Sequence, residues 1–141
     1  MSKPKVLLGF DFGRKRIGIA VGQELTGTAS ALETLNCPDG GPDWQGISRL
    51  IDEWQPDALV LGLPFNLDGS EHETTRLARR FGNRLAGRYN LPVFTIDERL
   101  SSVEAERILN EQGRFDKKEV DKLAAQIILE SWLTQQADNN Q

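Results

Sequence analysis

Three carboxylates stand beside apolar segments where their placement raises a question of chemistry. Asp11 interrupts the apolar run "LLGFDFGRKRIGIAVG" (7–22). An ionised acid there must be paired or must bind a cation. Three bases follow almost at once, Arg14, Lys15 and Arg16, so an ion pair with Arg14 or Lys15 is one reading of Asp11. Glu98 closes a second apolar run in "TIDERLSS" (95–102), and Asp121 lies one turn into "DKKEVDKLAAQIILESW" (116–132). Asp121 borders the apolar stripe Val120, Leu123, Ala124, Ile127 and Ile128 on its Ile128 side. It reads either as an acid favoured by the helix N-terminus or as one leaning inward. Three carboxylates brought together repel one another. The usual resolution is a divalent cation with oxygen ligands, Mg²⁺ or Mn²⁺. Such a site hydrolyses phosphodiesters by activating water and neutralising the departing oxygen.

The cations point to the same class of substrate. The segment 70–88 carries Arg76, Arg79, Arg80, Arg84 and Arg88, with no acid after Glu73. Arg76, Arg80, Arg84 and Arg88 recur every four residues and flank Leu77, Phe81 and Leu85. On a helix they form a drifting basic stripe, either a track for a phosphate backbone or a solvated face. Arg99, directly after Glu98, is placed to meet a phosphate, and Ser101 to cap the next helix. "LGLPFNLDGS" (61–70) lacks the Lys-Ser/Thr pair of a phosphate-binding P-loop. His72 reads as a helix-start residue rather than a ligand, and the lone Cys37, in a Pro/Gly-rich loop, as no catalytic thiol.

Alternating elements must position these groups. Strands are expected at 5–12, 16–23, 28–34, 57–63 and 92–96, the first two joined by a hairpin-sized link with Gly13 at the turn. Helices are expected from Pro42 to about Trp54, from a Ser70/Glu73 capping box to about Arg88, from Ser101 to Gly113, and over 117–136 with a frayed tail. The order β-β-β-α-β-α-β-α-α predicts a mixed α/β sheet with helices on both faces, in one domain spanning 1–141. If the first strand is parallel to the later two, Asp11 and Glu98 end on one sheet edge. The charge of −4 and pI of about 5.1 argue against nucleic-acid binding by bulk charge, while leaving room for a local basic patch. No apolar segment is long enough for a membrane span, and one cysteine fits a reducing compartment, so the protein is expected in the cytoplasm.

Together "GFDFGRKRIGIAVG", "LVLGLPFNLDGS", "TIDERLSS" and "VDKLAAQIIL" stand in an order that resembles the YqgF/RuvX family of Holliday-junction-resolvase-like nucleases. The resemblance spans residues 5 to about 133. It implies an RNase H-like fold with a five-stranded sheet in order 3-2-1-4-5. It also implies a nuclease acting in maturation of the 5′ end of precursor 16S rRNA, with Asp11, Glu98 and Asp121 as its acids. Ribosomal components are possible partners. RuvC-type resolvases place a further carboxylate after the fourth strand, where this chain has Leu63-Pro64-Phe65-Asn66. Branched DNA is therefore the alternative substrate, and a non-catalytic RNA-binding assembly factor the alternative role. "DFG" also occurs in protein kinases and begins the phosphate site of actin-fold ATPases, but 141 residues hold neither set of remaining elements.

Overall fold

A computed structural model describes residues 5–38, 41–98, 101–113 and 116–139, without the side chains of 101–103 and 139. Arg99 lies outside the described residues. The strands are β1 (Val6–Phe12), β2 (Arg16–Gln23), β3 (Thr28–Asn36), β4 (Ala58–Leu63) and β5 (Val93–Asp97). The helices are α1 (Trp44–Trp54), α2 (Glu73–Tyr89), α3 (Ser101–Glu111) and α4 (Lys117–Asn139). The sheet order is β3-β2-β1-β4-β5, as the resemblance implies. β1 runs antiparallel to β2 and parallel to β4, and β4 runs parallel to β5.

Because side chains alternate along a strand, β1 splits its residues between two unlike layers. Leu8 and Phe10 join Ile17, Ile19, Leu59 and Leu61 beneath α1 and α2. Leu7 faces the other way and packs with Ala20, Ala58 and Val60 against Ala125, Ile128 and Leu129 of α4. Val120 and Ala124 of α4 meet Ala105 and Leu109 of α3. The apolar stripe of α4 is therefore wider than the sequence reading, since it serves two neighbours.

Several boundaries shift. Asp43, not Pro42, opens α1, its side chain accepting from the Gly46 N–H at 3.0 Å. The Ser70/Glu73 capping box does not form. His72 caps α2 instead, with Nδ1 accepting from the Thr74 N–H at 3.1 Å, while Thr75 Oγ1 accepts from the His72 N–H at 3.2 Å. Ser70 is occupied by the preceding turn, where its N–H and hydroxyl both donate to Asp68. Ser101 is already helical in α3. Gly113 adopts φ 68° just past the end of that helix, the left-handed termination glycine allows. α4 continues to Asn139 rather than stopping at 136, because no glycine or proline interrupts "TQQADN".

Candidate functional site

Three parallel strands, β1, β4 and β5, end side by side, and the acids collect there. Asp11 stands between Gly18 of β2 and Gly62 of β4 in the sheet register. The Glu98 N–H donates to the Leu63 carbonyl at 3.1 Å. That bond carries the ladder one residue past β5 and keeps Glu98 on the same face as Ile96, the face covered by α4. Asp11 and Glu98 therefore meet as the sequence predicts, both less than a tenth exposed.

The two glycines make the meeting possible. A Cβ at Gly18 would lie 2.0 Å from the Asp121 carbonyl oxygen, so only a residue without a side chain lets the start of α4 descend onto β2. A Cβ at Gly62 would lie 3.0 Å from Glu98 Cβ and 3.1 Å from its Oε2. The absent methyl is the room in which the Glu98 carboxyl sits. Gly62, a glycine inside the apolar strand "LVLGL", carries a close-approach signal in the sequence. Gly18 escapes that reading, although a glycine inside the apolar strand "RIGIAVG" carries the same signal.

Asp121 reaches the edge of the pair but is turned to a cation. Arg16 Nε donates to its Oδ2 at 2.6 Å, with both side chains largely covered. The ion pair of Asp11 with Arg14 or Lys15 does not form: Arg14 goes to Glu73, and the base turned inward is Arg16, whose partner is Asp121. Asp121 still acts on Asp11 through its charge. Among the described residues no three His, Cys, Asp or Glu side chains converge as a set of metal ligands. The acids form a buried pair with a third beside it, held by Arg16.

Burial dominates the electrostatics of the pair. It pushes the Asp11 carboxyl up to about 6; the Glu98 hydrogen bond opposes this, and Asp121 adds to it. Glu98 rises further, to about 10, through burial first, then the charge of Asp11, the hydrogen bond between them and Asp97. Burial and mutual repulsion thus favour a pair that shares one proton near neutral pH. Glu98 Oε2 is buried with no hydrogen-bond partner among the described residues. A deprotonated oxygen in that position requires a cation, and the donor chemistry, two hard carboxylates, suits Mg²⁺ or Mn²⁺.

The bases divide into engaged and available groups. Arg14 pairs with Glu73 at 3.0 Å, tying the β1–β2 hairpin to the start of α2, and both groups are well exposed. Arg79 pairs with Glu71 at 2.7 Å. Arg88 lies 4.1 Å above the Trp44 ring and Arg84 6.0 Å from it. Lys15, Arg76 and Arg80 are exposed and make no ion pair with a described residue. Behind them Thr75 donates its hydroxyl to the Pro64 carbonyl, fastening the loop after β4 to α2.

A family model, RuvX, described as Holliday junction resolvase, matches residues 5–135. A protein of Nitrosococcus oceani named "Putative pre-16S rRNA nuclease" is 53% identical over 137 residues, covering 96% of this chain and 90% of its own. One of the same name from Yersinia enterocolitica is 52% identical over 136 residues, covering 94% and 97%. Thermus thermophilus RuvC, solved with a Holliday junction, superposes with a TM-score of 0.55 at 17% identity over 94% of this chain and 96% of its own. The yeast mitochondrial Holliday junction resolvase gives 0.57 at 13% identity over 93% and 78%. At such identities these two structures speak for the fold alone, and it is the RNase H-like fold of resolvases. With the family model spanning nearly the whole length and relatives above half identity, the chain belongs to the RuvX family.

Proposed function

We propose that this protein is a metal-dependent nuclease that hydrolyses phosphodiester bonds in precursor 16S rRNA, maturing its 5′ end in the cytoplasm. The observation that carries the reading is the buried Asp11–Glu98 pair with its unpartnered Oε2, at the carboxyl ends of parallel strands. The names of the relatives supply the substrate.

Asp11 and Glu98 would hold the cation, with Asp121 as the third acid. When bound, Mg²⁺ or Mn²⁺ supplies an activated water and charge neutralisation at the departing oxygen. Glu98 must release its proton for the ion to bind, because ligand oxygens act deprotonated. Asp11, already the more acidic of the two, holds the charge that attracts the ion. Arg16 fixes the Asp121 carboxylate beside the pair until substrate competes for the guanidinium. Lys15, Arg76, Arg80 and Arg84 bind substrate phosphates, with Arg14 joining them on leaving Glu73, and Arg99 serves the same role beside Glu98. Arginine clamps a phosphate through two N–H groups, whereas Lys15 acts as a point charge.

The family model's own description favours branched DNA as the second reading. One experiment separates the two. Purified protein is incubated with precursor 16S rRNA and with a four-way DNA junction, each in Mn²⁺, Mg²⁺ or EDTA. The expected result is metal-dependent cleavage of the RNA, lost in EDTA and in Asp11→Asn. Cleavage of the junction alone gives the resolvase reading. Binding of RNA without cleavage under any condition gives a non-catalytic assembly factor.

A further inference from the structure

On the far side of the same sheet edge lies a cavity of about 300 Å³. Its floor is apolar, made by Phe12, Leu77 and Phe81, and its rim carries Arg14, Arg80 and Arg84. Phe12 directly follows Asp11 and faces the opposite way, so the cavity and the acid pair flank one strand end. Phe12 and Phe81 have ring centroids 5.1 Å apart, and Phe81 is held from behind by Trp44 at 5.6 Å. The floor is therefore rigid before anything binds.

We infer that this cavity takes one unpaired nucleotide of the substrate strand, its base against Phe12 and Leu77, with buried Phe81 backing them, and its phosphate on Arg80 and Arg84. The inference rests on the reading of the chain as one that acts on nucleic acid, and it adds a subsite to that reading. The chemistry of the walls selects the occupant. An anionic group suits the guanidiniums of Arg80 and Arg84, since Arg14 is paired with Glu73 while Arg80 makes no ion pair with a described residue. A flat apolar ring suits the aromatic floor, and a cavity of this size is at the small end of ligand sites. A nucleotide joins a flat ring to a phosphate and so presents both groups at once. A paired base is stacked and cannot enter, so the cavity selects a single-stranded segment. The larger groove along β3 has no such match: it contains Glu33 and Asp43, and its Arg49 is paired to Glu33 at 2.6 Å.

The test uses the full chain in EDTA, so that binding is read without cleavage. Fluorescence anisotropy compares a 12-nucleotide single-stranded RNA with an abasic strand of equal length and charge. The parent should prefer the intact strand by about tenfold, the range of one base stacked on an aromatic ring. Leu77→Trp fills the cavity from its partly exposed edge and should bind the two strands equally, while duplex RNA binds as tightly as before. The paired variant Arg80→Gln with Arg84→Gln changes exposed side chains only, and stands in if Leu77→Trp does not fold. It should weaken the intact strand and lower the log–log salt slope by about 0.7 for each phosphate no longer held. A parent indifferent to the bases overturns the inference. So does a folded Leu77→Trp that keeps the preference, or a double variant with unchanged affinity and slope. Cleavage in Mn²⁺ is scored separately. A parent that prefers the intact strand but never cleaves sinks the nuclease reading and leaves the subsite. A parent that cleaves without the preference does the reverse.

Discussion

The two faces of the sheet are packed in opposite ways. Beneath α1 and α2 the sheet presents large side chains, Leu8, Phe10, Ile17, Ile19, Leu59 and Leu61, joined by Phe81 and Leu85 of α2. Toward α4 many of the facing positions are small or charged, Gly9 and Asp11 on β1, Gly18 and Ala20 on β2, Ala58 and Gly62 on β4, with Leu7 and Val60 supplying the bulk between them. Bulk on the first face yields stability through buried area. On the second, the missing side chains bring a helix backbone almost onto the strands, and that proximity delivers Asp121 and leaves space for Glu98. One face is built to hold the fold and the other to hold charge in a covered place. The difference shows how a small domain can carry buried acids. The cost of burying Asp11 and Glu98 is offset by apolar packing one layer away.

The comparison can be broken from either side. The largest loss of stability is expected on the bulky face. Leu59→Ala should destabilise by about 2–5 kcal/mol in denaturant titration, as for other fully buried leucines, while metal-dependent cleavage per folded molecule stays near that of the parent. A fall in cleavage without loss of stability would show that this face also shapes the site. Gly18→Ala is the opposite case. Its methyl must push the start of α4 off β2, at a cost of about 1–3 kcal/mol. The displaced Asp121 should lower cleavage by about 100-fold, the scale of a 1 Å misplacement.

Smaller effects sharpen the contrast. In EDTA, Glu98 is protonated in the folded state at pH values where the unfolded chain has already released that proton. A raised carboxyl opposes folding as pH climbs above its unfolded value near 4.5. The parent should therefore lose melting temperature between pH 5 and pH 8 relative to Glu98→Gln. A gap of about 4 °C corresponds to roughly 1 kcal/mol in a domain of this size. Parallel curves would mean that the pair carries no such penalty. The smallest change is expected for Arg16→Gln. Its bond to Asp121 is partly exposed, and such pairs contribute about 0–1 kcal/mol. Its melt should move by no more than a few degrees, while freed Asp121 should shift the Mn²⁺ concentration needed for cleavage. A large loss of stability would make Arg16 a structural residue first.

Much of this was legible in the chain. Apolar runs and turn residues located all five strands within about two residues at each end, because strands covered on both faces leave nearly unbroken apolar stretches such as "KVLLGFDF" and "RIGIAVGQ". The helices between the later strands made parallel pairing the expectation, and the meeting of Asp11 and Glu98 hung on that condition, which the structure meets. Local hydrogen bonding was harder to foresee. Ser70 looked like a cap for α2, but Asp68 claimed it and His72 took the role. That competition is decided by which acceptor the folded turn brings within reach of Ser70, and the spacing of Ser70 and Glu73 is blind to it. The arginine stripe was visible as a spacing of four. Which members are engaged was not, since Trp44, the ring beside Arg84 and Arg88, lies outside that pattern.

What the sequence determined by itself is the kind of chemistry: acids in apolar surroundings, bases after a turn, and strands in an order that gathers their ends. What only the tertiary structure decided is the pairing of those charges. Arg16 goes to Asp121, Arg14 to Glu73, and Glu98 to Asp11. The reason is physical. Strand periodicity fixes the face on which a residue lies, but charges choose partners across gaps of a few ångströms. Those gaps are set by how far α4 descends where Gly18 and Gly62 carry no side chain.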